Sequence, residues 1–492
     1  MTENKIQKLL YIYMLATFLV CSYIYCFVVK ANGDNVEHLH FSWLVWQGYV
    51  PYKDFFQHHN PLTWYLFAPF VNLLIDNKMI FSIFNQVSYV AVCIMAYYQY
   101  QIMIYNQNSR TAGLFLIATI ISSYSIAWAL NFRPDTFAYM SLVAGLLYLF
   151  KYIKDRQLWQ LVVSFLCFFI AFMFTQKVLI NLVIPAMGII YWLYKKQIDF
   201  KDFTLSCTLP ILLLVTWGAY LYSEDILELY WLSNFPYNTG IPEIFADNRI
   251  IFPPKEFYEF YIFIPTGGMA SIYFLLKGNA IEKIMSLMFI EEGIVRLFYF
   301  SAFLHYSIFW LILGIMVTIM LLDKFSSPRI IKIALGTVFL LFSLWYNYEK
   351  TYKVEAPKQS YINGHELAFN ELTPCDTAIN GYYAVYNLKA KDAGYYAILL
   401  GQIDVLGEKK GIAPKADLNN LIRSKKPKLI SAGIYWDTYW EQRGIKVPAH
   451  QINEALVDTY YNYTGVGDIF ILKPEYQRQG CHYNGKRWEY KD

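Results

Sequence analysis

Long apolar stretches separated by short polar turns fill most of the chain. They run at about 9–29, 79–104, 111–130, 136–153, 158–174, 178–194, 203–222, 256–276, 284–304, 306–322 and 330–346. A helix needs about 20 apolar residues to cross the hydrocarbon of a bilayer. The pattern therefore predicts a polytopic α-helical membrane protein of nine to eleven spans, with eleven favoured. The first stretch follows Met1–Lys8 with no small-residue cleavage site after it, and so reads as a retained span rather than a signal peptide. The count turns on 256–304, where Glu291, Glu292 and Arg296 interrupt the second half. That region supplies two crossings or none, because only an odd total satisfies the charge pattern on both sides. The segment 61–76 is apolar but short, and counting it as a span breaks the charge pattern. It is expected to lie along the outer interface, with Trp64 and Tyr65 at headgroup level.

Basic residues collect in short cytoplasmic loops. Lys5 and Lys8 put the N-terminus inside, and alternation then brings Arg110, Lys151, Lys154, Arg156, Lys195, Lys196, Lys201, Lys324, Arg329 and Lys332 to the same side. The loop after the first span, Asn32 to Pro61, and the region after Tyr348 fall outside. Composition agrees: 57% of residues are hydrophobic, 16% are charged and the mean hydropathy is +0.30. A soluble domain carries roughly 25% charge, so a soluble enzyme with one large core is excluded. A net charge of +4 gives no ground for a nucleic-acid partner.

The chain divides into a membrane part, 1–349, with an outer loop at 30–78, and a C-terminal part, 350–492. The latter gains charge, Gly and Pro. Lys428–Tyr435 and Asp468–Leu472 read as buried strands and Ala416–Ser424 as a short helix, which predicts a small soluble α/β domain. Seven cysteines show no metal-binding spacing. Five lie in apolar stretches. Cys375 and Cys481 lie in the C-terminal part and could pair in an oxidising compartment.

The outer loop holds four of the eight histidines, His38, His40, His58 and His59, together with Asp34, Glu37 and Asp54. At helical spacing Asp34, Glu37, His38 and Phe41 share one face. Asp34 and Glu37 also fit a capping box at a helix start, with Gly48 ending that helix. A cap requires neither the histidines nor the second acidic group. His58 and His59 are adjacent, so on a helix they point about 100° apart. A metal would need one of them plus a partner from elsewhere.

The run D-x-x-E-H-x-H, then G-x-x-P-Y-x-D-F-F-x-H-H-x-P-L, resembles the first outer loop of the GT-C glycosyltransferases. These integral membrane enzymes include the protein O-mannosyltransferases and the lipid A aminoarabinose transferases, and the bacterial branch is the nearest in pattern. The resemblance covers the first third to half of the chain. It implies a polyprenyl-phosphate sugar donor, an extracytoplasmic acceptor and a site on the outer side of a bacterial inner membrane. An acidic residue early in the loop serves there as base or orients the acceptor, which by match is Asp34, with Glu37 beside it. Asp54, His58 and Asn60 are then candidates for binding substrate. The Glu-Lys-Pro element of the aminoarabinose transferases aligns with His59, Asn60 and Pro61. The lysine is missing, so its phosphate contact does not carry over. His59 is left as the candidate ligand for a divalent metal, the one cofactor the resemblance suggests.

Arg133-Pro134-Asp135 falls at an outer edge, where a simple helix junction would explain Pro134. The GT-C pattern has an Arg-Pro-Asp in the same place. Arg133 and, at the next outer turn, Lys177 are candidate ligands of the donor phosphate, with Asp135 on the substrate. Snorkelling to the headgroups is the alternative for Lys177. Glu224, Asp225 and His305 also fall near the outer edge. Two other functions compete with glycosyl transfer. A transporter or flippase would place ionisable groups at mid-membrane, whereas the first seven spans are nearly free of charge at their centres. A non-catalytic glycan-assembly protein would bind through its C-terminal part.

Overall fold

The structure, a computed structural model, describes residues 3–27, 33–77, 79–107, 109–123, 125–126, 131–244, 257–298, 307–325, 341–343, 345–346, 349, 366–380, 388–396, 403–431, 454–465, 469–485 and 487–490. In chain order the helices are α1 Glu3–Phe27, α2 Gly33–Trp46, α3 Leu62–Leu74, α4 Ile80–Gln107, α5 Arg110–Ser122, α6 Pro134–Asp155, α7 Leu158–Phe174, α8 Val178–Asn181, α9 Val183–Tyr194 and α10 Phe200–Ser223. They continue with α11 Leu227–Asn234, α12 Pro236–Ile244, α13 Tyr258–Lys277, α14 Ala280–Phe298 and α15 Ile308–Lys324. The C-terminal region then alternates β1 Thr377–Asn380, β2 Lys391–Asp392, α16 Ile403–Lys409, α17 Leu418–Lys425, β3 Leu429–Ser431, α18 Glu454–Tyr460, β4 Tyr461–Tyr463, β5 Ile469–Leu472, β6 Cys481–Tyr483 and β7 Trp488–Tyr490.

The chain forms two compact units. The first comprises Met1–Val29, Ser82–Trp217 and Arg249–Ala356. Among the described residues α4, α6, α10 and α13 are long and apolar enough to cross a membrane, which marks an integral membrane protein. Every apolar stretch read from the sequence falls on a helix except 330–346, most of which lies outside the described residues. α6 starts where the sequence allows it: Arg133 is extended, and Pro134 takes a first-turn position where its missing N–H costs nothing. α7 lies close against α6 because Gly145 has no side chain. A Cβ there would fall 2.4 Å from the Phe168 ring, and Ser164 Oγ donates to the Gly145 carbonyl at 2.8 Å. α10, in contrast, leaves Leu205, Ile211, Leu212 and Val215 exposed, as a helix facing lipid would.

The second unit comprises Lys30–Phe81, Gly218–Asn248 and Pro357–Asp492. Its five-stranded sheet has the order β2-β1-β3-β5-β4. β2, β1 and β3 run parallel, and β5 and β4 are antiparallel additions. The expected short helix forms as α17, capped by Asp417 accepting from Asn420 N at 3.0 Å. Residues 432–435 of the first expected strand and Asp468 of the second lie outside the described residues; the remainder is β3 and β5. The core is shared across distant sequence. Phe56 of the outer loop and Tyr237 of α12 are buried with Ile379, Tyr396, Leu406, Ile422, Ile430 and Leu472. α3, at 13 residues, is too short to cross the hydrocarbon. It exposes Tyr65, Leu66, Phe70 and Leu73 and buries Trp64, Ala68 and Val71. Tyr65 keeps its expected exposed place, but Trp64 is a core residue: its indole donates to His38 Nδ1 at 3.3 Å.

Cys375 and Cys481 form a disulfide across 106 residues. It ties the β6–β7 hairpin to the segment before β1. Cys481→Ser is expected to lower stability by about 2–5 kcal/mol, measured as melting of the detergent-solubilised protein. An unchanged melting temperature would show that the hairpin is held by its other contacts alone.

Candidate functional site

The outer loop is set by its own backbone. α2 ends in a turn in which Gly48 N and Tyr49 N donate back to the Val45 and Leu44 carbonyls at 3.0 Å. Gly48 sits at φ +82°, a conformation glycine takes without strain. Asp54 closes the next turn by accepting from Val50 N at 2.7 Å. Tyr52, fully buried and at φ +68°, donates its hydroxyl to the His59 carbonyl, and its own carbonyl accepts from the Tyr395 hydroxyl at 2.6 Å. Phe56 N donates to the Tyr395 carbonyl at 2.7 Å.

Within this frame Gln57 is the node. Its Oε1 accepts from His58 N at 2.6 Å and His59 N at 3.2 Å, and lies 3.0 Å from His59 Nδ1. Two backbone donors fix which end of the amide is oxygen. Its nitrogen therefore donates to Glu37 Oε1, at 3.2 Å. The same oxygen requires His59 to carry its proton on Nδ1 when neutral, leaving the lone pair on Nε2. Burial pushes the Glu37 carboxyl up to about 8, against the lowering effect of the Gln57 hydrogen bond and with a further rise from the Asp392 charge. Glu37 thus favours its protonated form. Gln57→Leu would leave the His58 and His59 N–H groups without this acceptor, at about 1–3 kcal/mol for each buried group. The expected result is a less stable loop, read as faster amide exchange at 52–61; unchanged exchange would remove Gln57 from this role.

The other loop candidates have distinct places. His58 is half-buried, 4.2 Å from the His59 ring and 5.3 Å from Tyr237 between ring centres, and its carbonyl accepts from Asn238. Asn60 is fully buried, and its Oδ1 accepts from the Tyr230 hydroxyl at 2.8 Å. His38 meets the His59 ring edge-on at 5.5 Å. Asp34 lies in the first turn of α2, one turn before Glu37 and on the same face; its carboxylate lies outside the described side chains. The loop therefore brings Glu37, Gln57, His58 and His59 together, whereas Asp54 is engaged in its own turn.

In the first unit Asp135 is buried in the opening turn of α6, with Lys177 Nζ 4.0 Å from its Oδ1. Arg133, the residue before that helix, is also largely buried. Arg133, Asp135 and Lys177 thus gather at the start of α6 and the α7–α8 turn. Nearby in sequence, Asn181 donates to the buried Glu292 of α14, so the carboxylate that made this stretch a poor span has a partner inside the helical unit. His305 and residues 245–254 lie outside the described residues.

Sequence reasoning did not find Gln57, Trp64, Tyr230 or Asp392. Gln57 at least lies within the recognised run, whereas Trp64 falls just after it and reads there as an interfacial residue. Asp392 has no local signal at all: it is 2.9 Å from His40 Nε2 across 352 positions. Among the described residues no three His, Cys, Asp or Glu side chains gather as a metal ion requires. His59 is not part of such a group among the described residues.

The fold is similar to that of ArnT from Cupriavidus metallidurans, with a TM-score of 0.57 at 11% identity over 88% of this chain and 94% of that one. The chain carries a GT-C fold. The oligosaccharyltransferase of Archaeoglobus fulgidus, tethered to an acceptor peptide, gives a TM-score of 0.49 at 8% identity over 94% of this chain and 74% of that one. The same protein in complex with Zn and sulfate gives 0.48 at 12% identity over 94% and 73%. Neither a family model nor a curated protein matches the sequence.

Proposed function

We propose that the protein transfers a sugar from a polyprenyl-phosphate donor to an acceptor on the outer side of the membrane, with inversion at the anomeric carbon. The observation that carries this reading is the loop cluster: Glu37, whose carboxyl burial pushes toward its protonated form, bonded to Gln57 and through it to His59, with Asp34 one helical turn away in sequence. A carboxyl that burial holds toward its protonated form, Glu37, with a second acidic residue in the same helical turn suits an acid and a base in one reaction. The GT-C fold supports it, since the membrane helices hold a lipid-linked donor and no nucleotide site is needed.

Asp34 takes the proton from an acceptor hydroxyl as that oxygen attacks the anomeric carbon. The bond from the sugar to the lipid phosphate breaks, and polyprenyl phosphate leaves. Arg133 and Lys177 meet the charge that builds on the phosphate. Asp135, 4.0 Å from Lys177, holds that ammonium in place. His58 and Asn60 are the substrate-binding candidates of the loop, and the C-terminal part faces the same outer compartment, in keeping with its disulfide.

The test is direct. Protein in liposomes is given a panel of radiolabelled polyprenyl-phosphate sugars with envelope extract as acceptor, and mass spectrometry compares surface glycans and lipids of cells with and without the protein. Release of polyprenyl phosphate and one missing sugar are expected. No release from any donor, with unchanged glycans, would end the proposal.

A further inference from the structure

The C-terminal region reaches the outer loop through a buried hydrogen bond. His40, on α2, has no solvent exposure, and Asp392, on β2, is 5% exposed. Asp392 Oδ2 lies 2.9 Å from His40 Nε2. His40 Nδ1 has no hydrogen-bond partner among the described residues, so the carboxylate makes the ring's one hydrogen bond there, while Trp43 stacks on its face at 6.0 Å. His40 stands three residues after Glu37 and so continues its face of the helix. On the other flank Gln57 holds the Glu37 carboxyl at 3.2 Å. The Glu37 face of α2 is thus gripped from two sides, by the loop and by β2.

We propose that Asp392 is a positioning residue for Glu37, and that the C-terminal region takes part through it in the acid–base chemistry of the loop. This rests on the loop being the transfer site. A structural tether alone would need no charge. A hydrophobic contact or a neutral amide would join β2 to α2 without the cost of burying a carboxylate. The carboxylate does something more, because a like charge beside Glu37 favours its protonated form. Burial is the main cause of that preference and the Asp392 charge adds to it. Gln57 of the loop and Asp392 of β2 act on Glu37 directly; His38 and His40 share its helix, His58 and His59 follow Gln57 on the loop, Lys391 precedes Asp392 on β2, and α3, which packs on α2, carries Tyr65. A protonated Glu37 donates a hydrogen bond or its proton to substrate, while Asp34 remains the acceptor of protons.

The experiment follows the Glu37 carboxyl by infrared difference spectroscopy of the full-length protein in detergent. The band of its protonated form is assigned by its absence in Glu37→Gln. In the wild type it is expected to disappear with a midpoint of about pH 8. Asp392→Asn is expected to move that midpoint about one unit lower, the scale on which one neighbouring charge acts, and Asp392→Glu to restore it. The alkaline limb of the transfer rate moves with it. An unchanged midpoint in a folded Asp392→Asn protein would overturn the proposal. If Asp392→Asn and Asp392→Ser both fail to fold while Asp392→Glu folds, the carboxylate serves stability alone and the proposal is again overturned. The titration uses no substrate, so its failure bears on Asp392 alone. A wild-type protein that transfers no sugar but titrates as expected counts instead against the loop as transfer site.

Discussion

Asp34→Asn is expected to lower sugar transfer by about 10²–10⁴-fold, the usual contribution of a general base, with the protein inserted and folded. The substitution separates the two readings of this residue. Asn caps a helix as well as Asp does, so if Asp34 only starts α2, the variant keeps its activity. If Asp34 removes the acceptor proton, the amide has no basic lone pair and kcat falls. Binding of the donor lipid, which needs no base, should persist. The comparison is made with purified protein in liposomes, measuring kcat and donor KM separately, with the melting temperature as control. Retained kcat in the variant would remove Asp34 from the chemistry and leave Glu37 or a histidine of the loop to be tried in its place.

Phe56→Ala has the largest expected effect on the fold of the second unit. Phe56 is 4% exposed. Its ring lies 4.9 Å from Tyr237 and 5.1 Å from Tyr396, both edge-on or tilted contacts between ring centres. Truncation of a buried Phe costs about 3–5 kcal/mol. The loss falls on the join between loop and C-terminal region, because the Phe56 N–H also bonds the Tyr395 carbonyl. Limited proteolysis should cut the variant in the loop and around 388–396 together, and transfer should fail with it. Cleavage confined to the C-terminal region, with transfer intact, would show that the loop stands without this anchor.

Much of this architecture is legible in the sequence, because membrane helices are local objects. Hydrophobic length and the side of the basic residues place α1, α4, α6, α7 and α10 without knowledge of their neighbours. α17 and β5 were equally readable from a capping aspartate and a short apolar run. The loop residues stand out for a different reason: charged and imidazole groups beside a membrane are rare. What the sequence hides is pairing at a distance. Nothing around Asp392 points to His40, and nothing around Tyr230 points to Asn60. Trp64 looks like an interfacial tryptophan from its neighbours alone, yet α2 covers it and gives its N–H a partner. Gln57 was passed over because an amide carries no charge; its weight comes from the four groups that converge on it.

The shared core of the second unit has a consequence in time. The outer loop leaves the ribosome well before its core partners Ile379, Ile430 and Leu472 and the carboxylate at Asp392 are made. During the interval the aromatic side chains of residues 41–64 have no finished core to enter, and contacts this far apart in sequence close slowly. A chain halted before residue 392 would hold every loop residue proposed to carry the chemistry and still lack the pair that orients them. The core around the loop can therefore close only after the chain has been made through Leu472.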